Sequence, residues 1–391
     1  MKVLVLGIGK MGYGILKDLS LQPHVSEIVA ADVNLERARY FVQRVNSDKI
    51  QVKRVDVTDR SEITSLMHGC DVVASALPSK FCRAAVTAAI EKGIGYADVA
   101  APFDIFDLDT AAKEAEITVV PHIGLDIGID RVLCGVGARK LDKVDKFHVW
   151  CGGFPQKGTP GYDNPLRYKI SWYWPGAALS NMGISRILKE GKIIEIPRLS
   201  DPEEIVFPEP VGKCETYTTG NLLDVVEHLE LREVKDAWAK TVRWKGHCEI
   251  WRKLIDLHLL DKEPVKVKGI EISPRDFFIA LGEKTLQFEP DEGDVVCQRV
   301  EVSGIKDGIP TSYIYEFIDL YDSKNNISAM ARTTAFPCSI VAQMISKGEF
   351  KDIGVIHPAK IGWNEELSNK FLAELTKRQI KITETLLYPL T

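Results

Sequence analysis

Three glycines and one acid carry the chemistry that is easiest to read in this chain. Gly7, Gly9 and Gly12 form a G-x-G-x-x-G string directly after the apolar run Val3–Leu6. In such a string the first glycine permits a tight turn and the second lets a pyrophosphate approach the backbone. The third lets a helix pack closely on the preceding strand, and the helix's first N–H groups hold the anion. Lys10 and Met11 complete the loop. Asp32 stands about 20 residues beyond Gly12, at the end of the apolar run Ile28–Ala31. A lone glycine string also fits a plain turn in some other α/β protein. Strand, glycine turn, helix, strand and acid in that order make it a dinucleotide fingerprint. Asp32 can accept hydrogen bonds from ribose hydroxyls and repels a 2′-phosphate, so NAD is the expected cofactor. Arg37 and Arg39 lie close enough to keep NADP open.

The elements that must position these residues alternate. Helical spacing over Asn34–Val45 follows Asp32, and then come a strand at Ile50–Val55, a helix at Asp59–Met67 and a strand at Asp71–Ser75. A helix runs from Ser79 to Ile90, followed by a short strand at Tyr96–Asp98. A helix near Asp107–Ala115 and a strand at Ile117–Pro121 complete the series. Strands alternating with helices of this length predict a doubly wound parallel sheet, the Rossmann class, with ligands beyond the carboxyl ends of its strands. Asp56 and Val57 then fall where an adenine is contacted, and Ala76, Leu77 and Pro78 where the nicotinamide ribose passes. Both stretches read equally as surface turns.

After Asp126 the pattern changes to long strand-like segments at Lys146–Cys151, Leu166–Trp174, Ala237–Trp244, Val295–Ser303 and Thr311–Tyr321, with Ile327–Ala335 as a further strand. The last three predict an antiparallel meander, so the second domain is expected to be α+β with a mainly antiparallel sheet. Helices are expected near 247–259, 274–282, Phe336–Lys347 and Asn364–Lys377. The expected division is residues 1–123 for the dinucleotide domain, completed by 336–391, and 124–335 for a substrate-binding and dimerisation domain.

Composition narrows the function classes. Among 391 residues, 45% are hydrophobic and 27% charged, with a net charge of −5, which gives no overall basic footprint for nucleic acid. No apolar run approaches the ~20 residues that span a bilayer, and no secretory leader precedes the first strand, so a cytoplasmic protein is expected. The eight cysteines are scattered without a C-x-x-C pair, which predicts reduced thiols and no metal site.

Several local strings resemble one family. Gly124-Leu-Asp-Ile-Gly-Ile-Asp130 is similar to the Gly-Leu-Asp-Pro-Gly-Ile-Asp signature of saccharopine reductases, with Ile127 in place of the proline. Cys151-Gly-Gly-Phe-Pro155 and Tyr168-Lys-Ile-Ser-Trp172 resemble that family's Gly-Gly-x-Pro and Tyr-Lys-x-Ser-Trp segments. Arg243-Trp-Lys-Gly-His-Cys-Glu249 and the stretch around Arg332 resemble segments of the related lysine 6-dehydrogenases. The resemblance implies an NAD(P)-dependent oxidoreductase acting at a carbon–nitrogen bond of an amino acid, working as a homodimer. Oxidative deamination of lysine is the expected reaction, with saccharopine cleavage or formation as the alternative. A dinucleotide-binding protein that has lost its chemistry is the non-enzymatic alternative.

Oxidising an amine by hydride transfer needs a proton acceptor and a cationic grip on the substrate carboxylate. Asp126, on a glycine-flanked turn after the sixth strand, is the first candidate for acid–base or ammonium-orienting work; capping the next helix is its structural reading, and Asp130 is a comparable cap. Asp98, beside Tyr96, is the second candidate. His247 is the third, with His122 weaker. Lys169, Arg243 and Arg332 are candidate carboxylate anchors, because a planar guanidinium fits a carboxylate bidentately, although strand-borne charges often just face water. Tyr96 and the aromatic group around Tyr168 are candidates for lining the substrate site.

Overall fold

Val3, Leu4, Val5 and Leu6 are completely buried, and they make the first strand of a parallel sheet, β1 (Lys2–Leu6). The computed structural model describes residues 1–289 and 292–389 and divides the chain into two units. The first comprises Met1–Arg139 and Ala331–Ile382, and the second Lys140–Met330 with the segment from Thr383. Residues 124–139 and 331–335, expected in the second domain, therefore fall in the first, and the segment from Thr383 falls in the second.

In the first unit, helices and strands alternate as α1 (Lys10–Ser20), β2 (Glu27–Asp32), α2 (Leu35–Val45), β3 (Ile50–Arg54), α3 (Arg60–Met67), β4 (Val72–Ser75), α4 (Ser79–Lys92), β5 (Gly95–Asp98), α5 (Asp109–Glu114), β6 (Thr118–Val120) and α6 (Ile129–Arg139). The strands pair in parallel in the order β3-β2-β1-β4-β5-β6, and a seventh strand, Gly354–Val355, adds beside β6. The order reverses between β1 and β4, the crevice where such sheets bind ligands. Asn34 caps α2 and Asp59 caps α3 through their side chains.

The C-terminal part of this unit is held by close helix packing and a buried charge. A Cβ on Gly14 would lie 2.6 Å from Ala335 Cβ, so this glycine lets α1 meet the helix Ala329–Ser346. Gly135 and Gly362 do the same for α6 against the helix Pro358–Trp363, where added Cβ atoms would meet carbonyl oxygens at 2.1 and 1.9 Å. Asp18, buried in α1, accepts from Ser339 Oγ at 2.6 Å and from Arg378 Nε and Nη2 at 2.6 and 3.0 Å.

The second unit is built on a mixed sheet whose main path runs Ser200–Val206, Lys213–Asn221, Asp236–Arg243, β7 (Lys143–Pro155), Asp294–Lys306, Ile309–Leu320 and Thr383–Leu387. Pairing is antiparallel except between Asp236–Arg243 and β7. Two expected strands are not strands. Ile327–Ala335 contains the start of the helix Ala329–Ser346, because the Asp294 carboxylate accepts the N–H groups of Ala329 and Met330 at 2.7 and 2.9 Å. The third antiparallel neighbour of the hairpin is Thr383–Leu387 instead. Leu166–Trp174 is irregular until a short helix starts at Trp174. Tyr168, Ile170 and Trp174 are buried with Tyr217, Trp251 and Leu260, so apolar packing rather than ladder pairing explains their composition.

Breaking a buried ion pair from one side leaves the other charge uncompensated and costs about 3–5 kcal/mol. Asp18→Asn is expected to lower stability by roughly this amount, measured as a reduced urea midpoint with an unchanged slope.

Candidate active site

The glycine loop has the geometry of an anion cradle. Gly7 has φ +81°, and a Cβ there would stand 2.8 Å from the Ala76 carbonyl oxygen at the end of β4. A Cβ on Gly12 would stand 2.1 Å from the Gly7 carbonyl oxygen, whereas Gly9 faces open space. The cap residue of α1 is Gly9, which has no side chain to cap it, and the positive end of the helix dipole lies at this turn. Lys10 and Met11 form its first turn.

Asp32 ends β2 almost completely buried. Its Oδ2 accepts the Ile8 N–H at 2.7 Å and its Oδ1 the Asn34 N–H at 2.8 Å. Arg37 Nη2 lies 3.0 Å from both oxygens. Asp56 is spent on its own turn, accepting from Thr58 Oγ1 at 2.7 Å and Thr58 N–H at 3.0 Å, bonds that hold its carboxyl below the usual range. Val57 is buried, and Pro78 is the cap residue before α4, after half-buried Ala76 and buried Leu77.

Asp98 and Tyr96 are fully buried at the end of β5. Asp98 Oδ1 accepts the N–H groups of Ala100, Ala101 and His122 at 3.0, 2.8 and 3.3 Å, joining the turns after β5 and β6. Burial nevertheless raises its carboxyl to about 6, and burial keeps Tyr96 a neutral phenol. His122 is buried with φ +58°, packs its ring 4.8 Å from that of Phe103, and hydrogen-bonds the Ala101 carbonyl through Nε2. Asp98 and His122 thus organise the loops.

Asp126 is more open, its side chain 35% exposed, with Arg131 Nη1 at 3.5 Å. Buried Asp130 caps the turn, accepting the Gly128 N–H at 2.8 Å, and also binds Arg131. The sequence reading missed Arg131. A guanidinium one residue from Asp130 and five from Asp126, opening a helix of apolar and small residues, is the signal that was available.

The remaining candidates divide between the units. Arg332, in the first, donates to the Arg378 carbonyl at 2.9 Å. In the second, Lys169 Nζ donates to the Gln287 carbonyl at 2.7 Å and pairs with Glu292 at 3.4 Å. His247 donates through Nδ1 to the Leu166 carbonyl at 2.7 Å, and burial, with Arg243 nearby, drives its imidazole down to about 3. Glu249, in contrast, is exposed and pairs with Lys253. Arg243 stacks its guanidinium 5.4 Å from the Tyr168 ring centroid and donates through Nη1 to the Val242 carbonyl. Buried Arg243 Nε, Tyr168 Oη and Ser171 Oγ make no hydrogen bond to described residues. Such orphans invite a polar ligand. Among the described residues, no group of three or more His, Cys, Asp or Glu side chains is placed to hold a metal ion. None of their helices is long and apolar enough to cross a membrane.

A parallel sheet with the 3-2-1-4-5-6 order and a glycine turn at its reversal point defines the class of dinucleotide-binding Rossmann folds. Comparison with known proteins narrows this class. Residues 3–120 match the saccharopine dehydrogenase NADP binding domain and residues 124–380 the saccharopine dehydrogenase C-terminal domain, so the chain belongs to the saccharopine dehydrogenase family. It is an oxidoreductase of that family. It is 25% identical to the saccharopine dehydrogenase [NADP(+), L-glutamate-forming] of Pyricularia oryzae, over 83% of this chain and 86% of that protein. The corresponding Saccharomyces cerevisiae protein is 24% identical, over 95% and 96%. The apo saccharopine dehydrogenase (L-Glu forming) structure from S. cerevisiae matches with a TM-score of 0.82 at 22% identity, covering 99% of both chains.

A histidine held neutral by burial makes stability depend on pH. An unfolded histidine takes a proton below about 6.5, which folded His247 refuses, so stability falls as pH drops from there towards 3 by up to about 1.4 kcal/mol per unit. Buried His148, pushed down to about 4, acts in the same direction. Asp98 acts oppositely: with its folded carboxyl near 6 it takes up its proton before the unfolded chain does. His247→Gln is expected to flatten the profile by about one proton, read from urea unfolding between about pH 4.5 and 7.

Proposed function

We propose that this chain oxidises the secondary amine of saccharopine with NADP, releasing glutamate and the semialdehyde of aminoadipate. One observation carries the reading: similarity to fungal NADP(+)-dependent, glutamate-forming saccharopine dehydrogenases extends along both units. It favours NADP over the NAD expected on Asp32 alone. In the balanced reaction, saccharopine, water and NADP⁺ give glutamate, the semialdehyde, NADPH and a proton.

When bound, the nicotinamide ring supplies hydride-acceptor chemistry. Asp126, beside Arg131 and open to solvent, accepts a hydrogen bond from the substrate nitrogen and receives its proton as the C–N bond becomes an imine. Water then adds to the imine carbon, and proton return through the same carboxylate completes cleavage. Asp98 positions the loops through three backbone N–H groups. Within the second unit, Arg243, whose Nε makes no hydrogen bond to a described residue, is the candidate for holding a carboxylate, beside Tyr168 Oη and Ser171 Oγ. Lys169 and His247 are assigned structural roles, their donors being used on backbone carbonyls.

Lysine 6-dehydrogenation is the second reading. In the second unit Lys169 spends its ammonium on a carbonyl and on Glu292, which leaves Arg243 as the candidate anchor there, and one guanidinium matches the single carboxylate of lysine better than the three of saccharopine.

With saccharopine and NADP⁺, the purified chain is expected to give NADPH absorbance and stoichiometric glutamate, with no reduction from lysine. Turnover of lysine but not saccharopine reverses the two readings. Asp126→Asn is expected to lower kcat by roughly 100-fold or more while nucleotide binding is retained.

A further inference from the structure

We infer that Arg131 is a positioning residue for Asp126: held in the fold by Asp130, it takes one carboxylate oxygen of Asp126 and leaves the other to the substrate nitrogen. The role rests on the reading of Asp126 as the proton acceptor of the amine. The backbone of Asp126 is set by the turn around it. The Gly124 N–H donates to the Ile127 carbonyl at 3.0 Å, and the Ile129 N–H to the Gly124 carbonyl at 2.9 Å. A Cβ on Gly128, whose φ is +145°, would fall 2.0 Å from the Gly124 carbonyl oxygen, so the two glycines close the turn tightly. A fixed backbone still leaves the carboxylate free to rotate about its own side-chain bonds. Arg131 Nη1, 3.5 Å from Asp126 Oδ1, restrains that rotation. Asp126 Oδ2 makes no hydrogen bond to a described residue.

Helix stability does not account for a guanidinium at this place. Arg131 is the third residue of α6, at the positive end of the helix dipole, and it is 3% exposed. The dipole and desolvation both disfavour a cation there, so acids must offset them. Asp130 is one. It is fully buried, its Oδ2 pairs with Arg131 Nη1, and its Oδ1 accepts the N–H groups of Gly128 and Arg131 at 2.8 and 2.9 Å. That carboxylate fixes where Nη1 lies. The same nitrogen faces Asp126 across the turn, so one donor serves two acids of unequal exposure, their side chains 0% and 35% exposed. The buried acid anchors the guanidinium, and the guanidinium aims the open one. A planar guanidinium keeps its direction better than an ammonium on a flexible stem.

Coupling between the two residues tests this role. Saccharopine oxidation with NADP⁺ is measured on the full chain for wild type, Arg131→Lys, Arg131→Met, Asp126→Asn and Arg131→Met combined with Asp126→Asn. NADPH fluorescence titrations confirm that each nucleotide site is folded. Arg131→Met leaves buried Asp130 without its cation, so Arg131→Met combined with Asp130→Asn is measured beside it. Both forms are expected to lower kcat by roughly 10- to 100-fold, with KM and NADPH affinity within about threefold of wild type. Arg131→Lys should recover part of the loss. In the Asp126→Asn background, Arg131→Met should cost less than about threefold, because no carboxylate remains to be aimed. Losses that multiply in that double variant, or an unchanged kcat in the folded Arg131→Met forms, overturn the inference and leave the reading of Asp126 standing. An unchanged kcat in Asp126→Asn, or a wild type that oxidises neither saccharopine nor lysine, removes that reading and the inference with it. Should wild type oxidise lysine alone, the same comparison made with lysine decides in the same way.

Discussion

Asp32 joins two crossings of the first sheet. It accepts the N–H of Ile8, inside the glycine loop, and the N–H of Asn34, which caps α2. The loop after β1 and the start of the second helix are thereby held by one buried carboxylate. Gly7 and Gly12 approach too closely for side chains, so the turn has a single available shape. A preorganised cradle binds without having to order its own backbone, and the entropy of doing so is already met by the fold.

The same economy of buried polar groups runs through the rest of the first unit. Asp18 gathers Ser339 and Arg378 onto α1, so the returning C-terminal segment is tied by charge as well as by the glycine contacts of Gly14 and Gly135. Asp98 spends one oxygen on three backbone donors from two turns. Buried carboxylates of this kind fix loops, because leaving their partners unsatisfied would cost more than the ordering does. Asp126 differs in being open to solvent, with Arg131 rather than backbone as its partner.

In the second unit the candidate residues differ in how their polar atoms are used. Lys169 and His247 are buried and bonded to carbonyls, whereas Arg243, itself bonded to the Val242 carbonyl, and Tyr168 and Ser171 each keep a buried polar atom with no partner among the described residues. Residue type alone would rank the lysine and the histidine with the arginine. Their hydrogen-bond partners tell the three apart.

The sequence by itself determined the parallel half of the fold and the cofactor class. Alternating strand and helix periods and the glycine spacing are local properties, and local sterics enforce them wherever the chain goes. Gly7, Gly9, Gly12 and Asp32 were legible for that reason. Only the tertiary structure decided that Ile327–Ala335 enters a helix, since its cap, Asp294, lies 35 residues before Ala329. It alone decided that Leu166–Trp174 is packed rather than paired, and that His247 is tied to Leu166, 81 residues away. Burial and hydrogen-bond satisfaction depend on partners distant in sequence, and no spacing within one segment encodes them.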